Sequence, residues 1–536
     1  LIQTLKDIWL NTGFCKCPSN SCILKIFNIM KKFFVNLLVI FLLSITSFGT
    51  LYAKTILPGL IGNDMVLKQK SKVAFWGWDK PGMDISVETS WNNRKYVAKT
   101  GLDGKWNMYI STPEAGGPYH ILINGTDRIE LNNVLIGEVW FTSGQSNMGW
   151  SIIEEKNAEN ILKNADHANI RLFHVPRHVS DRKESVFGKN AVWKECNAET
   201  VRHFSAMSYH FAVFLQEQLN VPIGIISASW AGTGIESWLS YDLQASDDNL
   251  RKATDRWWKW KKDFPHDSIA YAEKLALQEE NLAKGTAREI VKKPKSVHML
   301  ERPHCKPGSL YNGMVHPCMP YTISGLIWYQ GENSVEWADE YEYQLQSMID
   351  SWRAGFHLDF PVLVGQLTNF NYPSAERAAI LRDAQLKARE KKDTYVICTI
   401  DIGNADDVHP DDKLPFGQRF ADMALSKIYG RKKIADYPVA EKAVAKGDKI
   451  VVSFNLVKEL RIKGGELNDI WVTDATGEKR KVKAFTKRNK LIIGCENIQN
   501  PVKVSYAVEN NVNANLYNKN GLPAFPFTLP VRMSEK

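Results

Sequence analysis

Three apolar runs in the middle of this chain each give way to a short polar block, and that repeated junction constrains the fold more than any other feature. Val134–Thr142 runs straight into Ser143-Gly144-Gln145-Ser146-Asn147-Met148. Ile323–Tyr329 ends at Gln330-Gly331-Glu332-Asn333, and Thr394–Asp401 leads to Asp406-Asp407-Val408-His409-Pro410. Short apolar runs bounded by polar, Gly-bearing segments read as buried strands. Pro222–Ser227 and Phe360–Gln366 add two more. Between them, Met207–Leu219 has apolar residues at 207, 211, 214 and 215, which is helical spacing, and Glu340–Phe356 and about 375–391 also read as helices. Strands alternating with helices predict βαβ units and a largely parallel sheet covered on both faces.

The period changes on either side. Lys72–Trp78 and Asp84–Thr89 alternate or run apolar, and Lys80-Pro81-Gly82, Asp103-Gly104 and Ala115-Gly116-Gly117-Pro118 punctuate them as turns. Residues 54–135 therefore predict a β-sandwich or jelly-roll domain. Strand patterns return over 436–536, at Lys449–Phe454, Ile470–Thr473, Lys490–Ile493 and Val502–Ala507. The α/β domain is then 136–435, interrupted by a Lys- and Glu-rich helical insertion at about 243–300. A chain of 536 residues exceeds one ordinary core, so several domains are expected.

Lys31 and Lys32 precede an apolar run from Phe33 to Ile45, and Leu51-Tyr52-Ala53 offers a small residue at the end. This is the pattern of a secretory signal peptide over 30–53 starting at Met30, with 1–29 as an upstream extension. The run is shorter than the roughly 20 apolar residues of a membrane span, and no Cys follows the cut, so no membrane anchor is expected. The mature chain is expected to be secreted across the inner membrane, to the periplasm or outside the cell in a bacterium. Residues 1–53 carry five Lys and one Asp, so the net charge falls from +9 to +5 without them. No long basic run remains. Trp257-Trp258-Lys259-Trp260-Lys261-Lys262 mixes aromatic and basic residues, but its charge-rich, helix-like setting reads as a solvated helix with one apolar face, and no nucleic-acid partner is expected. The five Cys after residue 53 (196, 305, 318, 398 and 495) lack metal-like spacing, so neither a zinc site nor a disulfide framework is expected. An oxidising compartment would permit a single bridge between Cys305 and Cys318, which the sequence leaves open.

The blocks themselves carry chemistry. In open α/β sheets the C-terminal ends of strands converge on one edge, where ligands bind. A Ser at a strand-to-helix turn exposes its Oγ beside backbone N–H groups. Ser146, Asn333 and an acidic residue with His409 on one edge would supply nucleophile, oxyanion donor, orienting acid and base.

Gly-Gln-Ser-Asn, Gln-Gly-Glu-Asn and Asp-x-x-His-Pro, in that order, resemble the blocks of SGNH esterases of the sialate O-acetylesterase family. The resemblance covers nearly the whole chain after residue 53. Asn63-Asp64-Met65-Val66-Leu67, Trp76-Gly77-Trp78 and Asp103-Gly104-Lys105-Trp106 are similar to that family's N-terminal β domain. Tyr311-Asn312-Gly313-Met314, Asn515-Leu516-Tyr517-Asn518 and Gly521-Leu522-Pro523-Ala524-Phe525-Pro526-Phe527 are similar to later stretches. The resemblance implies a flavodoxin-like α/β/α three-layer domain with accessory all-β domains. It implies Ser146 as nucleophile, His409 as general base and Asp406 as orienting carboxylate, with Asp407 the competitor that only geometry separates. The oxyanion hole would use Ser146, Asn333 and a Gly after Ser229-Trp230. The family usually has two glycines there; this chain reads Ala231-Gly232-Thr233, which assigns the role to Gly232. Gln145, Gln330 and Glu332 are expected near the substrate, and no metal or organic cofactor is expected.

The implied activity is removal of acetyl groups from sialic acids. An esterase acting on acetylxylan or another polysaccharide is the rival enzyme, since the acetyl ester is the same. A non-catalytic carbohydrate-binding protein is the rival outside enzymes, and the intact set of blocks argues against it. His203, His210, His316 and His357 have no motif around them and read as structural or surface residues.

Overall fold

The computed structural model describes residues 54–188, 191–286, 290–431 and 435–533. The signal peptide and extension expected over 1–53 lie outside the described residues. All elements below belong to the unit Thr55–Lys536.

The N-terminal strands are β1 (Val66–Lys68), β2 (Lys72–Trp78), β3 (Asp84–Thr89), β4 (Arg94–Lys99), β5 (Lys105–Ser111) and β6 (Gly116–Asn124), with burial alternating along β3 and β5 and continuous through the middle of β2. Val87 of β3 is buried while Ser86 and Glu88 are less so, as a half-buried sheet requires. β3 pairs antiparallel with β4 and β6, and β2 pairs with β5 as a separate two-stranded sheet.

Strand β7 (Arg128–Gly144) is 17 residues long. Its first half pairs antiparallel with β6, from Asn124↔Arg128 to Gly116↔Ile136. Its second half is the centre of the parallel sheet, and the 135/136 boundary drawn from the sequence falls inside it. Burial follows the same division: residues 134–144 are all buried, while the start of the strand alternates. A strand buried on both faces reads as a continuous apolar run, which is how the sequence reveals this half.

The central strands are β7, β8 (His167–His174), β9 (Trp193–Cys196), β10 (Ile223–Ser229), β11 (Gly325–Tyr329), β12 (Val362–Gly365) and β13 (Thr394–Ile397), in the order β13-β12-β11-β7-β10-β8-β9. All neighbours are parallel except β8 and β9. Strands β7, β10, β11, β12 and β13 reproduce the flavodoxin-like order; β8 and β9 extend the sheet beyond β10. Successive residues of a strand face opposite sides, and the two sides of β7 meet different helices. Trp140 packs edge-on against Phe211 of the helix Ala206–Leu219, with ring centroids 4.9 Å apart. Phe141 meets Trp352 and Phe356 of the helix Ala338–Phe356 at 5.7 and 5.8 Å. Helices therefore cover both faces, giving the three-layer α/β/α arrangement.

The expected helical insertion contains a 33-residue helix, Arg251–Ala283. After residue 435 an eight-stranded sheet, running from Val439–Lys446 to Phe527–Met533, and a small two-stranded sheet form the all-β part. Tyr517 reaches back from it, its hydroxyl 3.4 Å from Asp401 Oδ2 just past β13.

Candidate active site

The end of β7 is shaped by close packing. Gly144 has its Cα so near β11 that a Cβ would sit 2.0 Å from the carbonyl oxygen of Tyr329, so only Gly fits. The chain turns there into the one-turn helix Ser146–Gly149, which leaves Ser146 at the sheet edge. His409, in the loop beyond β13, brings Nε2 to 2.8 Å from Ser146 Oγ. A hydroxyl in contact with an imidazole nitrogen has the geometry that a nucleophile and its general base require.

That separation is held through the neighbours of both residues. Asn147 Nδ2 donates to the carbonyl of Val408 at 2.9 Å and also to Glu332 Oε1. Asn147 Oδ1 accepts from Lys413 Nζ at 2.7 Å. The residue after the nucleophile thus grips the residue before the base. Lys413 is fully buried, and its backbone N–H donates to Glu155 Oε1 at 3.0 Å. Burial pulls its amine down to about 8, despite the opposing charges of Glu332 and Glu155. The carboxyl of Glu332 is pushed up by burial. Trp150, four residues after Ser146, lies flat on the His409 ring with centroids 5.1 Å apart. Burial and then the charge of Lys413 lower the His409 pKa, while Asp407 acts in the opposite sense.

The carboxylate beside His409 is that of Asp407, where the family pattern implies Asp406. Asp407 Oδ1 accepts the His409 backbone N–H at 2.8 Å and stands 3.7 Å from Nδ1. The Asp406 backbone N–H instead donates to Asn404 Oδ1 at 3.0 Å, and Asp406 makes no contact with His409 among the described residues. The reason is local: Asp407 caps its own turn two residues on, which swings its carboxylate to the imidazole side. At 3.7 Å the pair is an ion contact rather than a hydrogen bond, and the Asp407 side chain is 57% exposed.

Three donors surround the nucleophile's end of the sheet. Among the described residues, the backbone N–H groups of Ser146 and Gly232 have no acceptor, and the Asn333 side chain makes no hydrogen bond. Gly232 has φ +68°, a conformation that favours Gly, and its Cα lies against the guanidinium of Arg302, where a Cβ would sit 1.9 Å from Nη2. Trp230 N–H donates to the carbonyl of Gly144 at 3.1 Å, tying this loop to the turn that carries Ser146. The Asn333 backbone N–H donates to Gln145 Oε1 at 3.2 Å.

Gln145 and Gln330, expected against the substrate, are turned into the protein interior. Both are buried, and Gln330 Nε2 donates to Gln145 Oε1 at 3.0 Å. Their amides hold the turn 330–333 against the nucleophile turn, because a buried amide must satisfy its hydrogen bonds internally. Glu332 likewise bonds inward to Asn147.

Residues 276–426 match the family model described as carbohydrate esterase, sialic acid-specific acetylesterase. Human sialate O-acetylesterase is 24% identical over 442 residues, covering 75% of this chain and 76% of the human protein. The mouse sialate O-acetylesterase is 25% identical over 413 residues, covering 70% and 73%. A solved carbohydrate acetylesterase from Xanthomonas citri superposes with a TM-score of 0.75 at 27% identity, covering 89% of this chain and 99% of that one. Over most of its length the chain is similar to proteins of this carbohydrate esterase family. It is a carboxylic ester hydrolase.

Other groups singled out in the sequence of this esterase sit elsewhere. Trp257 is buried with Met299 and Cys305, while Trp258 on the same helix is exposed, as one apolar helix face predicts. Cys305 and Cys318 are separate buried thiols, as are Cys196, Cys398 and Cys495. His210 is buried 3.4 Å from Glu155 Oε1, His316 Nδ1 lies 2.7 Å from the carbonyl of Glu184, His203 is exposed, and His357 caps a helix in the left-handed conformation. Sequence reasoning missed Trp150, Glu155 and Lys413. Trp150 and Lys413 each lie four residues after a block residue, a weak signal without the fold. Among the described residues, no helix is long and apolar enough to cross a membrane.

Proposed function

We propose that the protein is a sialate O-acetylesterase that works through an acyl-enzyme on Ser146. The 2.8 Å contact between Ser146 Oγ and His409 Nε2 carries this reading, together with the names of its relatives. In the reaction, His409 Nε2 takes the Ser146 proton as Oγ attacks the acetyl carbonyl. The N–H groups of Ser146 and Gly232 and the Asn333 amide receive the charge that develops on the carbonyl oxygen. The tetrahedral adduct collapses, His409 gives its proton to the departing sugar hydroxyl, and water then releases acetate by the same steps in reverse. The imidazolium formed on the way is helped by the nearby Asp407 charge, and Trp150 keeps the ring in plane.

Acetate release from 9-O-acetylated sialic acid, measured beside acetylated xylan, tests the reading. Turnover of sialic acid is expected to exceed that of xylan, and the reverse result would make the polysaccharide the substrate. That second reading draws on the similarity to the Xanthomonas citri carbohydrate acetylesterase. Export through the segment 30–53 belongs to the same proposal, and the recovery of activity from the periplasm or medium checks it.

A further inference from the structure

Four parallel strands deliver their following residues to the edge that holds Ser146. β7 delivers Ser146 itself, β11 delivers Asn333, β10 delivers Trp230 and Gly232, and β8 delivers Arg177. Adjacent strands lie about 4.8 Å apart, so the end of β8, two strands from β7, is about 10 Å from the nucleophile turn. On that flank the Arg177 guanidinium lies 5.8 Å from the centroid of the Trp230 ring. The imidazole of His304 is stacked on the same indole, centroids 4.9 Å apart and planes within 6° of parallel. Arg302 packs its guanidinium against Gly232 and places Nη1 3.2 Å from His298 Nε2.

Among the described residues neither arginine has a counter-ion. Surrounding cations do: Lys306 pairs with Asp181 at 2.6 Å, Arg256 with Glu340 at 2.6 Å, Lys293 with Glu301, and Lys295 with Glu336. Among the described residues no carboxylate pairs with Arg177 or Arg302. A guanidinium offers five N–H donors in a planar fork, and among the described residues the only hydrogen bond these two guanidinium groups make is that of Arg302 to the His298 imidazole. His304 is kept toward its neutral form by burial and by the charges of Arg302 and Arg177, so it adds a hydrogen-bond group without needing an anion of its own. Two guanidinium groups without a carboxylate partner, set around one indole beside the loop of Gly232, have the chemistry to hold a carboxylate by charge and by paired N–H donors.

We propose that Arg177 and Arg302, with Trp230 and His304 between them, form a subsite for the carboxylate of an acidic acetylated sugar. This deepens the acetylesterase reading and rests on Ser146 being its nucleophile. The subsite would make the enzyme select for a free acid over the same sugar with its carboxylate masked, which a site for neutral polysaccharide does not do.

The test compares kcat/KM for acetate release from 9-O-acetylated N-acetylneuraminic acid and from its carboxyl methyl ester. The same comparison is run with acetylated glucuronic acid and its methyl ester, and acetylated xylan serves as the neutral substrate. Wild type is expected to favour the acid by about tenfold or more, the scale of one charge-assisted hydrogen bond. In Arg177→Ala that preference should fall to within about threefold, and Arg177→Lys should keep part of it. Arg177 is exposed, so the variant should fold; Arg302→Lys, which preserves the packing on Gly232 better than Ala, is the second variant. A wild type that releases acetate equally from sialic acid and its methyl ester refutes the subsite and leaves the sialate reading standing. A preference seen only with glucuronic acid, and lost in Arg177→Ala, supports the subsite and refutes the sialate reading. Turnover of neutral xylan alone refutes both, and so for the subsite does a preference that survives in both variants.

Discussion

Trp150 stacks on the imidazole of His409, with ring centroids 5.1 Å apart and planes 22° from parallel. The indole covers one face of the ring, and burial is the leading cause that lowers the His409 pKa, because a charged imidazole loses hydration when covered. A general base must be neutral to act, so activity falls as pH drops through its pKa. The acid limb of the kcat/KM profile is therefore expected below the ordinary His value of about 6.5. Trp150→Ala uncovers the ring and should move that limb upward while lowering the plateau. A pH–rate profile of both proteins checks this, and an unmoved limb would remove Trp150 from the account.

Ser146→Ala should reduce p-nitrophenyl acetate turnover by several powers of ten with an unchanged thermal melt. Residual activity within about tenfold of wild type would reassign the nucleophile.

Asp407→Asn is expected to cost more activity than Asp406→Asn, because only Asp407 stands near His409 Nδ1. The loss should be about tenfold, far short of that for a buried hydrogen-bonded acid, since an exposed ion pair is weak. Steady-state kinetics of the two variants decide the order, and a larger loss in Asp406→Asn reverses the assignment.

Asn333→Ala should lower kcat by about two to three powers of ten with little change in KM. The amide has no partner within the protein among the described residues, so its bond forms as charge develops on the carbonyl oxygen. A destabilised but fully active variant would leave the oxyanion to the backbone N–H groups.

Lys413 titrates at about 8 in the fold and near 10.4 in the unfolded chain. Between those values the unfolded chain binds more protons, so this residue makes the protein more stable as pH rises through the window. The gap in Tm between wild type and Lys413→Met should therefore shift in favour of wild type from pH about 8 to about 10. A constant gap, measured by thermal melts across that range, would show that the lysine is not held at a lowered pKa.

The apolar runs were legible because burial on both faces leaves no polar alternation, as in Val362–Gly365 and Gly325–Tyr329. β8 and the helix Leu414–Lys427 were not: Ala168, Asn169 and Arg171 interrupt one, and Pro415 opens the other, which is permitted at a helix start. At the site, motif order exposed Ser146, Asn333 and His409. It could not choose between Asp406 and Asp407, because adjacent carboxylates differ only in which way the turn throws them. It also placed Gln145 and Gln330 against substrate, since burial of an amide inside its own hydrogen-bond pair leaves no mark on the sequence. Arg177 follows an unremarkable strand, and its meaning comes from which neighbours lack a charge.

The 17-residue β7 has a practical consequence for anyone trimming or recombining this protein. A fragment beginning at 136 would keep Ser146 but discard the half of its strand that is laced to β6. The nucleophile turn would then hang from a severed support, and grafting another N-terminal module would mean splicing in mid-strand. Loosening anywhere from β6 onward should consequently register at Ser146 as lost turnover before the rest of the molecule melts, which makes catalytic rate a gauge of that seam.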